Sequence, residues 1–367
     1  MIICYTYFGY PILLSLISIF KRAEEMDMRE TFTPSVSMII PVFNEEAVIA
    51  DKISNTLALA YPRERFEVIV VSDGSTDRTN EIMGQYADSR LRVVVLGERG
   101  GKAAALNRGL REARHEIVVF SDASILLEKD SLRALVSRFR SHEVGCVSGE
   151  DHIPTEGGEA AYGRYELLLR NLESRIGSTV AVSGCFYGQR RALCSPFPEG
   201  MAPDFLSVLN TVERGQRVVT EPAARGEMKA LNEPGRELTR KVRTLLRGMT
   251  ALSRFRHLLN PFRYGFFAIE LLSHKVMRWG SGVFFGVLLL SNAFLLGESP
   301  FYALFFLGQV MLYVLGFLGW TGMGRWSRGL PARIAAYICV VNASSLLALV
   351  RFLLGQSQEL WEPSRRS

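Results

Sequence analysis

The chain has 367 residues, 48% of them hydrophobic, enough for one large domain with apolar sequence to spare. Its formal charge of +6 points to anionic lipid or phosphate partners and away from nucleic acid, because the basic stretches carry no interleaved aromatics for base stacking. The five cysteines form no C-x-x-C pair and read as buried thiols in a reducing compartment.

Residues 1–20, "MIICYTYFGYPILLSLISIF", are uncharged and match the length of a bilayer-spanning helix. A basic start and an A-x-A-like cleavage site are both missing, and Lys21 and Arg22 come after the apolar run. That order predicts an uncleaved anchor with the following region in the cytoplasm.

From about 34 to 232 the pattern is α/β. "SVSMIIPVF" (35–43) is a first strand, and "EEAVIADKISNTLALA" (45–60) a first helix, with Val48, Ile49, Ile53 and Leu57 at helical spacing. Strands follow at 66–72, 91–96 and 116–121, separated by helices at about 77–87 and 102–113. Parallel strands joined by helices bind ligands at their carboxyl ends. Those ends read "NEE" (44–46), "SDGSTDRT" (72–79), "GERGGKAAALNRG" (97–109) and "SDAS" (121–124). Ser75 and Thr76 are explained by turn and cap chemistry. Asp73 and Asp122, closing two strands of one sheet, are better explained by a shared ligand. The Gly-rich loop is neither a Walker sequence nor a G-x-G-x-x-G fingerprint. Lys102 stands at a helix start, where its ammonium and the free amides favour a phosphate; a solvated surface lysine is the alternative.

The segment 236–278 is basic and amphipathic. "RELTRKVRTLLRGMTALSRF" reads as a helix on a membrane surface, and "NPFRYGFFAIELLSHKVMRWG" (260–280) as an interfacial helix in which His274 simply packs. Three further spans are expected within 279–354, near 280–297, 301–320 and 332–354. The loop 297–300 has no Lys or Arg, whereas 324–333 carries Arg325, Arg328 and Arg333. The alternation implies four spans, a cytoplasmic central domain, and a tail (355–367) outside despite Arg365 and Arg366.

Taken together, "PVFNEE" (41–46), "VSDGSTDRT" (71–79), "GKAAALNRG" (101–109), "FSDAS" (120–124), "SGCFYGQRRAL" (183–193) and "APDF" (202–205) resemble the inverting nucleotide-sugar glycosyltransferases of family 2. The layout is similar to the membrane subgroup of cellulose, hyaluronan and poly-N-acetylglucosamine synthases. The resemblance implies a GT-A fold, a mixed sheet flanked by helices, and a UDP-linked donor. Pro41, Val42 and Glu45 would line the uracil and ribose pocket, with Asp73 on the base and Lys102 nearby. Asp122 would hold ribose, diphosphate and a divalent cation, Mg2+ or Mn2+; Asp204 would be the general base; Gly184 and Cys185 would face the acceptor.

Two motifs depart from the pattern. Ser124 replaces the second acid of D-x-D, leaving Asp122 and the diphosphate to hold a metal, with Glu128 or Asp151 as candidate helpers. In place of Q-x-x-R-W stands "RKVRT" (240–244), with Arg240 for Gln, Arg243 for Arg and Thr244 for Trp. The expected function is therefore inverting transfer at the plasma membrane from a nucleotide sugar to a growing glycan, with a secretion or export partner. Single-sugar transfer to a polyprenyl phosphate or other lipid, and a non-catalytic nucleotide-sugar-binding subunit, are the alternatives. A transporter is disfavoured by the scarcity of charge in the spans.

Overall fold

Residues 1–21, 32–152, 158–228, 237–323, 327 and 329–356 are described by a computed structural model. Arg22, Arg236, Arg325, Arg328, Arg365 and Arg366, which bear on topology and membrane contact, lie outside the described residues.

Four apolar, β-branched runs make the parallel half of the sheet: β1 (Val36–Val42), β2 (Phe66–Ser72), β3 (Leu91–Val95) and β4 (Ile117–Ser121). The helices joining them are α2 (Ile49–Leu57), α3 (Thr79–Gly84) and α4 (Gly101–Glu112). Beyond β4 come β5 (Ile125–Leu127), α5 (Ser131–Ser137), β6 (Val144–His152), α6 (Gly158–Ile176), β7 (Phe186–Arg190), α7 (Pro203–Glu213) and β8 (Arg217–Met228). The eight strands form one mixed sheet, ordered β3-β2-β1-β4-β7-β6-β8-β5. β7 is antiparallel to both β4 and β6. The direction reversal at β4–β7 leaves the end of β4 beside the start of β7, where Asp122 N donates to Cys185 O at 3.0 Å.

Side-chain alternation along β1 builds a core on each face of the sheet. Met38, Ile40 and Val42 pack with Ile49, Ile53 and Phe66; Ile39 packs on the other face with Ile69, Val71, Ala105 and Leu106. α4 approaches that second face so closely that a Cβ on Gly109 would lie 2.4 Å from Ile39 Cγ2. Gly109→Val is expected to cost about 1–3 kcal/mol by overpacking, read as a lower thermal midpoint of the purified protein, with Gly163→Val, whose Cβ would meet nothing within 4 Å, as the comparison.

The first helix starts at Ile49, four residues later than the periodicity suggests. Asn44 takes a left-handed φ of 52°, and its side-chain oxygen accepts from Thr76 N at 2.8 Å. Glu45 N donates to Thr79 Oγ1 and Glu46 N to Asp77 Oδ2, so the first two strand-end loops are tied together before α2 begins.

Among the described residues three helices are each long and apolar enough to cross a membrane, α1 (Ile2–Ile19), α11 (Pro300–Thr321) and α12 (Leu330–Leu353); α9 (Phe266–Trp279) and α10 (Ser281–Phe294), which follow α8 (Glu237–Arg254), meet the same test only together as a bent pair. The span expected near 280–297 is the 14-residue α10, bent by 60° from α9. At 1.5 Å per residue α10 covers about 21 Å, short of the roughly 30 Å hydrocarbon core, so it can cross only as a bent pair with α9. α8 buries its apolar face within the protein. Val242 and Met249 pack on Ala348 of α12, while Ala251 and Leu252 join the core beneath the sheet.

Candidate active site

The strand-end residues separate into an inner group and an outer one. Pro41, Lys102, Asp122, Gly184 and Asp204 line a single narrow cavity, with Phe120 and Tyr187 as its apolar wall. They come from five elements, the ends of β1 and β4, the start of α4, the turn before β7 and the first turn of α7. Lys102 Nζ sits 2.6 Å from Asp122 Oδ1 and 3.4 Å from the Gly184 carbonyl. Burial alone would lower this ammonium, but Asp122, together with Cys185 and Asp204, outweighs it and holds Lys102 above the ordinary lysine value. A Cβ on Gly184 would stand 3.6 Å from Asp204 Oδ2, so the glycine gives the carboxylate an uncovered approach.

The remaining expected residues lie elsewhere. Val42 belongs to the opposite face of the sheet, because alternation turns it away from Pro41; its carbonyl is taken by Asp73 N at 2.9 Å. Asp73 is 1% exposed and accepts from Gly100 N at 2.8 Å and Gly101 N at 2.7 Å. The amides of Gly100 and of Gly101, the residue that opens α4, are thereby spent on a carboxylate and do not stand open to a phosphate. Glu45 is half-buried in the loop joined to Thr79. Cys185 packs its side chain against the core, and its carbonyl accepts from Asp122 N. Arg240 and Arg243 are half-buried on α8 and line neither this cavity nor the next; Thr244, Leu245 and Gly248 of the same helix do line the next. Glu128 and Asp151 are also displaced: Glu128 is exposed beyond the edge strand β5, and Asp151 lies 3.9 Å from Arg170.

Two further groups stand outside the strand-end motifs. Lys52 of α2 is fully buried under the Asp122 loop, donating to Ser121 Oγ and to Ile125 O, both at 2.7 Å. Its only signal in the sequence is a lysine amid the apolar positions of a helix. Burial pushes its ammonium down to about 7. Because the folded value is depressed below the unfolded one, the unfolded chain holds the extra proton between them, and stability rises with pH from about 7 toward 10.5. Lys52→Met is expected to flatten that rise, measured as thermal midpoint against pH.

The second group lies beyond Asp204. A cavity of about 170 Å3 runs from Asp204 to Tyr7, Tyr162, Glu166, Lys275 and Arg278. His274 is no ordinary packing residue: Nδ1 lies 2.6 Å from Glu173 Oε1 and Nε2 3.0 Å from Glu166 Oε2. Charges at 270, 274, 275 and 278 within an apolar run were the available signal. A larger cavity of about 500 Å3 near Lys21 shares no lining residue with either. Its arginines are spent on protein: Arg138 on Glu221, Arg175 on the Lys21 carbonyl, Arg217 on Gly177.

Comparison with known proteins places this architecture. Residues 37–193 match the family described as glycosyl transferase family 2. The chain carries a family 2 glycosyltransferase domain. Within this domain the mixed sheet is the GT-A fold, with the cavity at the carboxyl ends of β1 and β4. A poly-β-1,6-N-acetyl-D-glucosamine synthase of Staphylococcus aureus (strain COL) is 29% identical over 159 residues, 41% of this chain. The corresponding Staphylococcus epidermidis protein is 28% identical over 159 residues. The matched chain spans only 38% of the length of these synthases. A solved mannosyltransferase from Pyrobaculum calidifontis, in complex with GDP-Man and Mn2+, is 25% identical and superposes with a TM-score of 0.73, covering 96% of this chain and 97% of that one. The likeness therefore takes in the apolar helices as well as the transferase domain.

Among the described residues no group of three His, Cys, Asp or Glu side chains gathers at one point. Asp122 Oδ1 is held by Lys102, and Ser124 adds a neutral hydroxyl. Mg2+ commonly takes one or two carboxylates and completes its shell with substrate phosphates and water. Asp122 alone fits that minimal pattern.

Proposed function

We propose that the protein is a membrane-bound inverting glycosyltransferase that moves a sugar from a nucleoside-diphosphate sugar to an acceptor hydroxyl. The observation that carries this reading is the convergence of Lys102, Asp122, Gly184 and Asp204, from four separate elements, on one cavity. Lys102 neutralises charge developing on the leaving diphosphate, and Asp122 positions that ammonium at 2.6 Å. Asp204, uncovered because residue 184 is glycine, accepts the proton of the attacking hydroxyl. A single displacement with one base inverts the anomeric centre. A metal on Asp122 would add charge neutralisation at the diphosphate. Pro41 closes the cavity at the end of β1, and Glu45 and Asp73 organise the loops around the donor.

A UDP-linked sugar is the first donor to test, alongside GDP-linked sugars, by equilibrium binding with and without Mn2+. Absence of binding to every nucleotide sugar would remove the reading. Ser124→Asp is expected to tighten Mn2+ dependence by about 10-fold, one more carboxylate hydrogen-bonding and charge contact, read from activity titrated with metal. The proposed placement is the cytoplasmic face of the plasma membrane, supported by Lys21 directly after α1. The acceptor enters from the cavity beyond Asp204, where Thr244 stands in place of a glycan-stacking aromatic.

A further inference from the structure

The cavity beyond Asp204 contains two hydrogen-bond donors with unmet capacity. Arg278 is 7% exposed; Nη2 donates to Tyr162 Oη and pairs with Glu166, while Nη1 has no hydrogen-bond partner among the described residues. The Lys275 ammonium lies 5.6 Å from the centre of the Phe205 ring and makes no hydrogen bond or ion pair among the described residues. Both groups can only donate, so their complement is a ligand rich in acceptor oxygens.

The same cavity adjoins an apolar one. Tyr7, Tyr162 and Val341 line both. The second cavity, about 260 Å3, is otherwise walled by Ile3, Phe8, Phe285, Tyr337 and Ile338, with Asn342 as its one amide side chain. Apart from Tyr162, these side chains belong to α1, α10 and α12, helices with the length or pairing to cross a membrane. The backbone also departs from regular helix at the polar cavity. Tyr7 and the pair His274–Lys275 each sit in a wide i→i+5 turn, Tyr5–Gly9 and Leu271–Val276, a widening often found at functional sites.

Acceptor-demanding cations at one end, an apolar slot among membrane helices at the other, and Asp204 at the mouth describe an amphiphile. We propose that the acceptor is a membrane lipid whose phosphate bears a hydroxylated head group. Its phosphate rests on Lys275 and Arg278, its chain lies in the apolar cavity, and a head-group hydroxyl reaches Asp204. This assignment rests on the transferase reading and names its substrate class. The hydroxyl oxygen attacks the anomeric carbon and its proton passes to Asp204. The bond from that carbon to the diphosphate breaks, and its electron pair leaves on the nucleotide. The product is a glycosylated phospholipid. A neutral glycan uses neither the paired cations nor the apolar slot.

The full-length protein in phosphatidylcholine nanodiscs is given labelled nucleotide sugar and one of three acceptors. Phosphatidylinositol in the bilayer has phosphate, hydroxyls and chains; glycerophosphoinositol lacks the chains; an alkyl glucoside lacks the phosphate. Label is expected to pass to solvent-extractable phosphatidylinositol at least about 10-fold faster than to either of the others, the worth of one lost charged contact. Lys275→Gln should raise KM for the lipid by about 10-fold with kcat held, and Lys275→Arg should recover it. Ile338→Trp, filling the apolar cavity, should slow transfer to the lipid and spare transfer to glycerophosphoinositol. Equal transfer to a soluble or uncharged acceptor, no transfer to the lipid, or a KM indifferent to Lys275→Gln overturns the lipid assignment. Hydrolysis of the nucleotide sugar without any acceptor is followed in parallel; its absence, together with absence of all transfer, overturns the transferase reading beneath it.

Discussion

Asp204→Asn is expected to lower kcat for sugar transfer by on the order of 10²–10⁴-fold, the usual worth of a positioned general base, while the Kd for nucleotide sugar stays within a few-fold. Asparagine preserves the size and most hydrogen bonds of the carboxylate but cannot take a proton. The position itself should tolerate the change. Asp204 stands in the first turn of α7, behind Pro203 at the helix start, so the helix is entered by proline geometry rather than by an Asp204 side-chain cap. The two readouts separate catalysis from binding: calorimetric or fluorescence binding of the nucleotide sugar, and product formation under saturating donor. Activity within a few-fold of the native protein would remove Asp204 as the base, and the acceptor would then have to arrive already ionised.

Lys102→Met should cost on the order of 10²–10³-fold in kcat, comparable to removing one preorganised donor from a developing anion. Among the residues lining the narrow cavity that joins Asp122 to Asp204, Lys102 is the sole cation. Its loss also frees Asp122 Oδ1, now 2.6 Å from the ammonium, to face the diphosphate as a bare negative charge. The variant should therefore depend more steeply on Mn2+ than the native protein, since a metal on Asp122 can replace the missing charge. A metal titration of both proteins tests this. Equal metal dependence with full activity would show that leaving-group stabilisation lies elsewhere, with Arg247 one alternative. That guanidinium is 8% exposed on α8, and the Asp204 charge acts on it.

The two variants also distinguish a catalyst from a binding subunit. A non-catalytic protein would keep nucleotide binding and be indifferent in turnover to both changes. The parallel sensitivity of kcat, with binding spared at Asp204, is what the cavity geometry requires.

Much of the fold is legible in local pattern. Apolar runs with strand spacing identify β1 to β4 to within a residue or two, because period-two burial on both faces leaves little freedom. Loops ending those strands announce a ligand site because turn chemistry accounts for Ser75 and Thr76 but not for Asp122. α2 starts later than its periodicity predicts because Asn44, Glu45 and Glu46 are satisfied by Thr76, Thr79 and Asp77, about thirty residues away. No local window contains that partnership. Asp73 has a plain motif, and its carboxylate also accepts from the amides of Gly100 and Gly101, a contact made by neighbouring strands in space.

By itself the sequence determined the alternating α/β domain, the apolar helices and the short list of strand-end residues, since each depends on periodicity or on turn chemistry within a few positions. Only the tertiary structure decided which members of that list meet. Sheet order brings β1, β4 and β7 side by side and carries Asp204 on α7 to Gly184, while the period of two sends Val42 into the core. It also decided that Lys275 and Arg278, charges in an otherwise apolar stretch, turn inward beside Tyr7 and Tyr162 instead of reaching solvent. Those contacts join residues more than a hundred positions apart, and burial of a charge is a property of what surrounds it.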